Sequence, residues 1–226
     1  MSALILLVLA GVLATLVRGT PTAWPNSFSI SFSSNITTDV SHPVVVVPGV
    51  MYYDWSVQMQ RVDHGAGAYE CVSFYDTSLP CTLIFNDDGL YRILQQPLPA
   101  GQEECCLDLD FIHASAPDWA SNENPTYNGL VLDAYSGFYT SKYTFDNYDP
   151  APETPHTYFE VANDAAYVGM PVIFTFPGNE GRQDYHYDAK SLKIGPQESS
   201  LFVIPDECKK KMCSASSRRT LFKQQK

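Results

Sequence analysis

Hydrophobic and polar residues alternate along much of the chain with a period of two. In "VMYYDWSVQMQRVD", Met51, Tyr53, Trp55, Val57 and Met59 share one parity, and Tyr52, Asp54, Ser56, Gln58 and Gln60 the other. Strict alternation predicts a half-buried β-strand, because successive side chains point to opposite faces. The segment therefore reads as one long strand with an apolar face. That face packs into a core or lines a cavity, and alternation alone leaves the two open.

The same period recurs elsewhere. "SFSISFSSNITT" sets Phe28, Ile30 and Phe32 against serines, and "YECVSFYD" and "CCLDLDFI" read as short strands. The valine run of "SHPVVVVPG" lies between prolines and reads as an edge strand or an extended connector. "CTLIFNDDGLYRIL" predicts a hairpin, its Asp-Gly step supplying the positive φ of a tight turn. "LVLDAYSGFYTSKYTF" predicts another around Ser136 and Gly137. "HTYFEVA", "MPVIFTF", "DYHYDA", "SLKIG" and "SSLFVIP" read as further strands. "HASAPDWASNENPTYNG" is irregular, with room for one helical turn, and "QQPLPAGQEE" and "DNYDPAPETP" read as loops. No long segment has a helical period. Short strands separated by Gly, Pro and Asp turns predict a mostly β fold of antiparallel sheets.

The N-terminus departs from this pattern. Ala3 to Val17 is an apolar stretch, short for a membrane span and suited to a signal peptide. Val17 and Gly19 fit a cleavage site before Thr20, with cleavage after Ala23 as the alternative. The predicted organisation is a signal peptide over 1–19, a single β-rich domain over 20–208 and a basic tail over 209–226. No later apolar run is long enough to span a membrane, so no stable span is expected after cleavage.

Cysteine usage agrees with export. Cys71, Cys81, Cys105, Cys106, Cys208 and Cys213 form an even set behind a signal peptide, which reads as disulfides. Their spacing lacks the C-x2-C pairs of a zinc site. Asn35-Ile36-Thr37 is an N-glycosylation sequon, so Asn35 is the expected glycan site.

Charge narrows the partners. From Thr20 to Cys208 the chain has six basic against 25 acidic residues, a net −19, while 209–226 carries +7. An acidic body argues against nucleic acid and anionic membranes. No motif for a serine hydrolase, dinucleotide site, phosphate loop or zinc protease occurs, and the five histidines are scattered. No enzymatic activity is expected. Asp108 and Asp110 would share one face of their strand, in contact with water or around a cation.

Five segments in order, "YYDWSVQMQRVD", "LPCTLIFNDDGLYRIL", "ECCLDL", "HTYFEVANDAAYVGMPVIFTF" and "SLFVIPDEC", resemble the ependymin-related family of secreted glycoproteins, over roughly Tyr52 to Cys213. Where that family has Cys-x-Pro-Val, this chain has "GMPV", and no cysteine precedes Cys71. Both partners of one family bridge are thus missing together. The resemblance implies two curved antiparallel sheets around a hydrophobic pocket, with few short helices. It implies a lipid or other hydrophobic small molecule as ligand, with Met51, Tyr53, Trp55, Val57 and Met59 on the pocket wall. It adds calcium, cell adhesion and a homodimer as further family properties. By the same analogy the bridges are Cys81–Cys213, Cys106–Cys208 and Cys71–Cys105, with a local Cys71–Cys81 bridge as the competing pairing.

Overall fold

The computed structural model describes residues 19–37, 45–75, 78–95, 104–145, 156–178, 181–209 and 211–213. The signal segment up to residue 18, the proline-rich loop over 146–155 and the tail beyond Cys213 lie outside the described residues.

The chain is mostly β. Its strands are β1 (Ser27–Thr37), β2 (Val45–Asp54), β3 (Met59–His64), β4 (Cys81–Asn86), β5 (Gly89–Leu94), β6 (Cys105–Leu109), β7 (Thr126–Leu132), β8 (Tyr139–Phe145), β9 (His156–Val161), β10 (Pro171–Gly178), β11 (Gly181–Tyr187) and β12 (Lys193–Ile194). Two short helices interrupt them, α1 (Tyr69–Tyr75) and α2 (Trp119–Asn122). The strands form one antiparallel sheet in the order β6-β5-β4-β3-β2-β1-β11-β10-β9-β8-β7, with β12 also pairing β1. β1 is the hinge of this order. The two curved halves implied by the resemblance are hydrogen-bonded through it into one continuous sheet.

Most of the order follows from local hairpins. Asn86 pairs Gly89 around Asp87 and Asp88, as the Asp-Gly step predicts. Gly89 has φ 126°, and a Cβ there would lie 2.2 Å from the Leu109 carbonyl oxygen of β6. No other residue fits both demands. The non-local step is β1 with β11, in register from Phe32 with Tyr187 to Thr37 with Arg182.

The opening segment is a hairpin, which corrects the single long strand. β2 ends at Asp54 and β3 begins at Met59, its register partner. Asp54 accepts bonds from the Ser56 backbone N–H (3.1 Å) and hydroxyl (2.6 Å), an Asx turn that halts the strand. Gln58 has φ 53° in the same turn. The sequence alternation runs unbroken through the turn, but the faces switch: Met51 pairs Val62 and Tyr53 pairs Gln60, so Met59 shares a face with Asp54 and not with Met51. Burial alone would raise the Asp54 carboxyl, but bonds from Ser56, Gln197 and Ser27 outweigh it and hold it below the usual value.

Three further elements differ from expectation. "YECVSFYD" contributes helix α1, where Cys71, together with Ala68 just before the helix, buries against Val47, Cys81 and Leu94. A window this short fits either period. "SSLFVIP" begins as a 3-10 turn, Ser199–Phe202, with Phe202 and Ile204 buried. The valine run opens β2, which pairs β1 on one side throughout but meets β3 only from Gly49 onward, so it is an edge for its first residues and interior afterwards.

The disulfides are Cys71–Cys81, Cys105–Cys208 and Cys106–Cys213. All six cysteines are bridged, but the pairing drawn from family analogy is overturned and the local alternative holds. Side chains of adjacent residues in β6 leave on opposite faces. Cys105 therefore meets Ile84, Tyr91, Ile204 and Cys208 in one cluster, while Cys106 meets Cys213 in another. The C-terminal segment wraps the β6 edge, with the Leu107 N–H donating to Lys211 and the Cys213 N–H to Leu107. Ordered structure thus continues past Cys208 to Cys213.

Asp108 and Asp110 do not form a pair. Asp108 is buried and accepts from Arg92 Nε at 2.6 Å, whereas Asp110 lies exposed in the following turn. Among the described residues no group of three or more His, Cys, Asp and Glu is placed to hold a metal ion. None of the described helices is long and apolar enough to cross a membrane.

Candidate functional site

The concave face of the sheet is covered by the chain between β6 and β7. Three contacts hold this strap down. The Trp24 N–H donates to the Pro117 carbonyl (2.8 Å), the Tyr53 hydroxyl to the Ser115 carbonyl (2.9 Å), and His113 Nδ1 lies 3.0 Å from the Asn86 carbonyl. Trp119 of α2 is wedged between Trp24, Phe145, Tyr158 and Phe174, with ring centroids 5.5–5.7 Å apart.

Between strap and sheet lies a cavity of about 240 Å3. One wall is Phe32, Met51, Val62, Leu83 and Phe85 from β1 to β4; the other is Tyr158, Phe174, Tyr185 and Tyr187 from β9 to β11. Ile112, Ser115, Trp119 and Trp24 close it from the strap side. It is large enough for a single alkyl chain.

Register explains the wall. Ile30, Met51, Val62 and Leu83 form one row across β1 to β4, and Phe28, Tyr53, Gln60 and Phe85 the next. On the other side of Ile30's row, Phe32, Gly49 and His64 form a third. Gly49 makes that row possible. A Cβ there would lie 2.2 Å from Cζ of Phe32, so the ring lies directly over the glycine. It is thereby set edge-on to His64, with centroids 5.5 Å apart.

The two ends of the cavity differ. From Gln60 to His64 the β3 wall runs about 13 Å at 3.3 Å per residue. At the Gln60 and Phe85 end lies exposed His113. At the other end His64 is buried, its Nδ1 3.6 Å from Glu70 Oε2 on α1. Burial pushes the His64 imidazole below its ordinary pKa despite the opposing pull of Glu70, and Arg92 adds to the fall. The phenols of Tyr158 and Tyr187 are raised by burial first, then by Glu160 and Glu70 respectively, so both stay neutral donors.

Of the five residues assigned to the wall by resemblance, Met51 lines the cavity. Tyr53 is fully buried beside it, edge-on to Trp24 and tilted against Phe28, and raised in pKa by burial and then by Asp118. Trp55 and Val57 lie in the turn, and Val57 is 56% exposed. Met59 packs on the opposite face, against the cluster of Ile84, Tyr91 and Ile204. Sequence reasoning missed His64, Val62, Leu83 and Phe174. The alternation of Gln60, Val62 and His64 in "QRVDH" was an available signal, but it does not say which face is concave. Asn35 lies in β1 opposite Val46 and Asp184, with its Oδ1 buried.

No family model matches the chain, and no curated protein is significantly similar to it in sequence. Solved structures are similar in fold. An uncharacterized conserved protein from Thermus thermophilus is 10% identical, with a TM-score of 0.45 over 88% of this chain and 96% of that one. A LolA superfamily protein from Nitrosomonas europaea is 9% identical, with a TM-score of 0.40 over 80% of this chain and 91% of that one.

Proposed function

We propose that this protein is an extracellular, non-enzymatic binding protein for a small hydrophobic or amphiphilic molecule, of the ependymin-related kind. The cavity carries the reading. Its walls are mostly apolar and aromatic, with Gln60 and His113 at one end and His64 at the other, the usual make-up of a small-molecule site. Bridging of all six cysteines supports export and leaves no thiol nucleophile.

With export the reading includes cleavage before Thr20 and a glycan on the Asn35 sequon. Cleavage there is supported by Thr22, whose N–H and hydroxyl both donate to the buried carboxylate of Glu160. Cleavage after Ala23 would remove those donors. N-terminal sequencing and enzymatic deglycosylation of the secreted chain test both points; an intact Met1 with no mass shift refutes them.

Ligand binding is tested by tryptophan fluorescence, because Trp24 and Trp119 both line the cavity. Titration with 1-decanol should give a saturable change. Val62→Phe fills the void and should abolish it. Met59→Leu, a volume-conserving change on the opposite face, should leave it intact. No saturable change in a folded protein purified free of lipid refutes the proposal.

A further inference from the structure

The buried end of the cavity has a charge pattern that selects among ligands. Among the described residues, the charged groups that act on the His64 imidazole are Glu70, Arg92 and Asp63. On β3, Asp63 is paired with Arg61 at 2.9 Å. On β5, Arg92 gives Nε to Asp108 of β6 at 2.6 Å and Nη1 to the Glu70 backbone carbonyl at 2.6 Å. On α1, the Glu70 carboxylate receives the amide of Gln183 from β11 and faces His64 Nδ1. The two arginines are matched by two aspartates, so the residual formal charge behind a neutral His64 is that of Glu70.

Glu70 also bears on the imidazole. His64 Nδ1 and Glu70 Oε2 are both buried, lie 3.6 Å apart and make no hydrogen bond to any described residue. A proton on Nδ1 is the tautomer that lets these two atoms satisfy each other, since a carboxylate only accepts, and it leaves the lone pair on Nε2. No described residue donates to His64 Nε2, and His64 lines the cavity. The end of the cavity therefore offers an acceptor with a negative charge one ring's width behind it.

We propose that the cavity takes an uncharged single-chain amphiphile whose terminal hydroxyl donates to His64 Nε2, and that Glu70 bars a carboxylate from the same place. This rests on the binding reading above and specifies the ligand's head group. A hydroxyl satisfies the acceptor without bringing charge. A carboxylate brings no proton to share and meets Glu70 across the imidazole in a site where charges are poorly screened; the discrimination is on the order of tenfold or more.

The test uses three probes of equal length at about pH 8, where the acid is ionised. They are 1-decanol, decanoate and 1-methoxynonane, a neutral ether without a donor. Wild-type protein should bind decanol at least about tenfold tighter than decanoate, and clearly tighter than the ether. Glu70→Gln should strengthen decanoate binding about tenfold while changing decanol less than about threefold, with an unchanged thermal transition as the check on folding. Equal wild-type affinity for decanol and decanoate overturns the head-group proposal and leaves the cavity reading standing. So does a decanol-to-decanoate ratio unmoved in Glu70→Gln. If none of the three probes binds, the binding reading itself fails and this one with it.

Discussion

The two long disulfides are redundant in a measurable way. Cys105–Cys208 and Cys106–Cys213 close loops with sequence separations of 103 and 107 residues. In the chain-entropy model either bridge alone restricts the unfolded chain by about 4.7 kcal/mol. Their ends are adjacent on one side and five residues apart on the other. Once one is formed, the second closes a loop of only about six residues, worth roughly 2 kcal/mol in the same model. Replacing one pair with alanines, Cys105→Ala with Cys208→Ala or Cys106→Ala with Cys213→Ala, should therefore cost about 2 kcal/mol plus local packing. Replacing all four should cost about 7 kcal/mol, well beyond twice either single-pair loss. That is a large part of the roughly 5–15 kcal/mol a domain typically has, so the quadruple variant should be close to unfolded while both pair variants stay folded. Urea titration followed by circular dichroism reads all four proteins. The reasoning fails if either pair variant is as unstable as the quadruple one, or if the two pair losses add up to the quadruple loss.

Three shorter predictions follow from buried polar contacts. Thr22→Val removes the hydroxyl bond to Glu160 (3.0 Å) and should cost about 1–3 kcal/mol in urea denaturation, because the acceptor is a buried carboxylate; no loss would place Glu160 outside the fold's polar accounting. Arg92→Met strands the buried Asp108 and should cost about 3–5 kcal/mol, most of it recovered by adding Asp108→Leu; an unrescued double variant would refute the pairing argument. His64 and His156 are both depressed by burial, so their stabilising contribution is whole above about pH 6.5 and is lost as pH falls toward their lower folded values. Stability should thus decline on mild acidification, with a shallower slope in His64→Gln, and an identical slope in that variant would remove His64 from the account.

The β character, both tight hairpins and the bridged state of all six cysteines were legible in the sequence, because each rests on a local signal. Asp88-Gly89 and Ser136-Gly137 mark turns by their own backbone preferences. What was not legible shares one cause, non-local context. The segment from Val50 to Asp63 hides a turn because the apolar alternation runs on through Trp55 and Val57, and only the pairing of β2 with β3 shows the change of face. "YECVSFYD" becomes helical because Cys71 must reach Cys81 and Ala68 must reach Val47. Family analogy supplied a bridge pattern, but opposite faces of β6 send Cys105 to Cys208 and Cys106 to Cys213.

The cavity was the least legible feature, since it is a property of rows across strands and not of any one segment. Yet the device at its buried end is built by local chemistry. Cys81 is the register partner of His64, and it is disulfide-bonded to Cys71, the residue after Glu70. The bridge therefore ties the first turn of α1 to the strand beside His64, over a separation of only 10 residues. Glu70 is further fixed by Gln183 across the cavity end and by Arg92 through its carbonyl. A helix of seven residues has little stability of its own. The short bridge is what holds such a helix in place. In this protein the two long disulfides act on the global stability of the sheet, whereas the local one acts on the position of a single carboxylate behind a single imidazole.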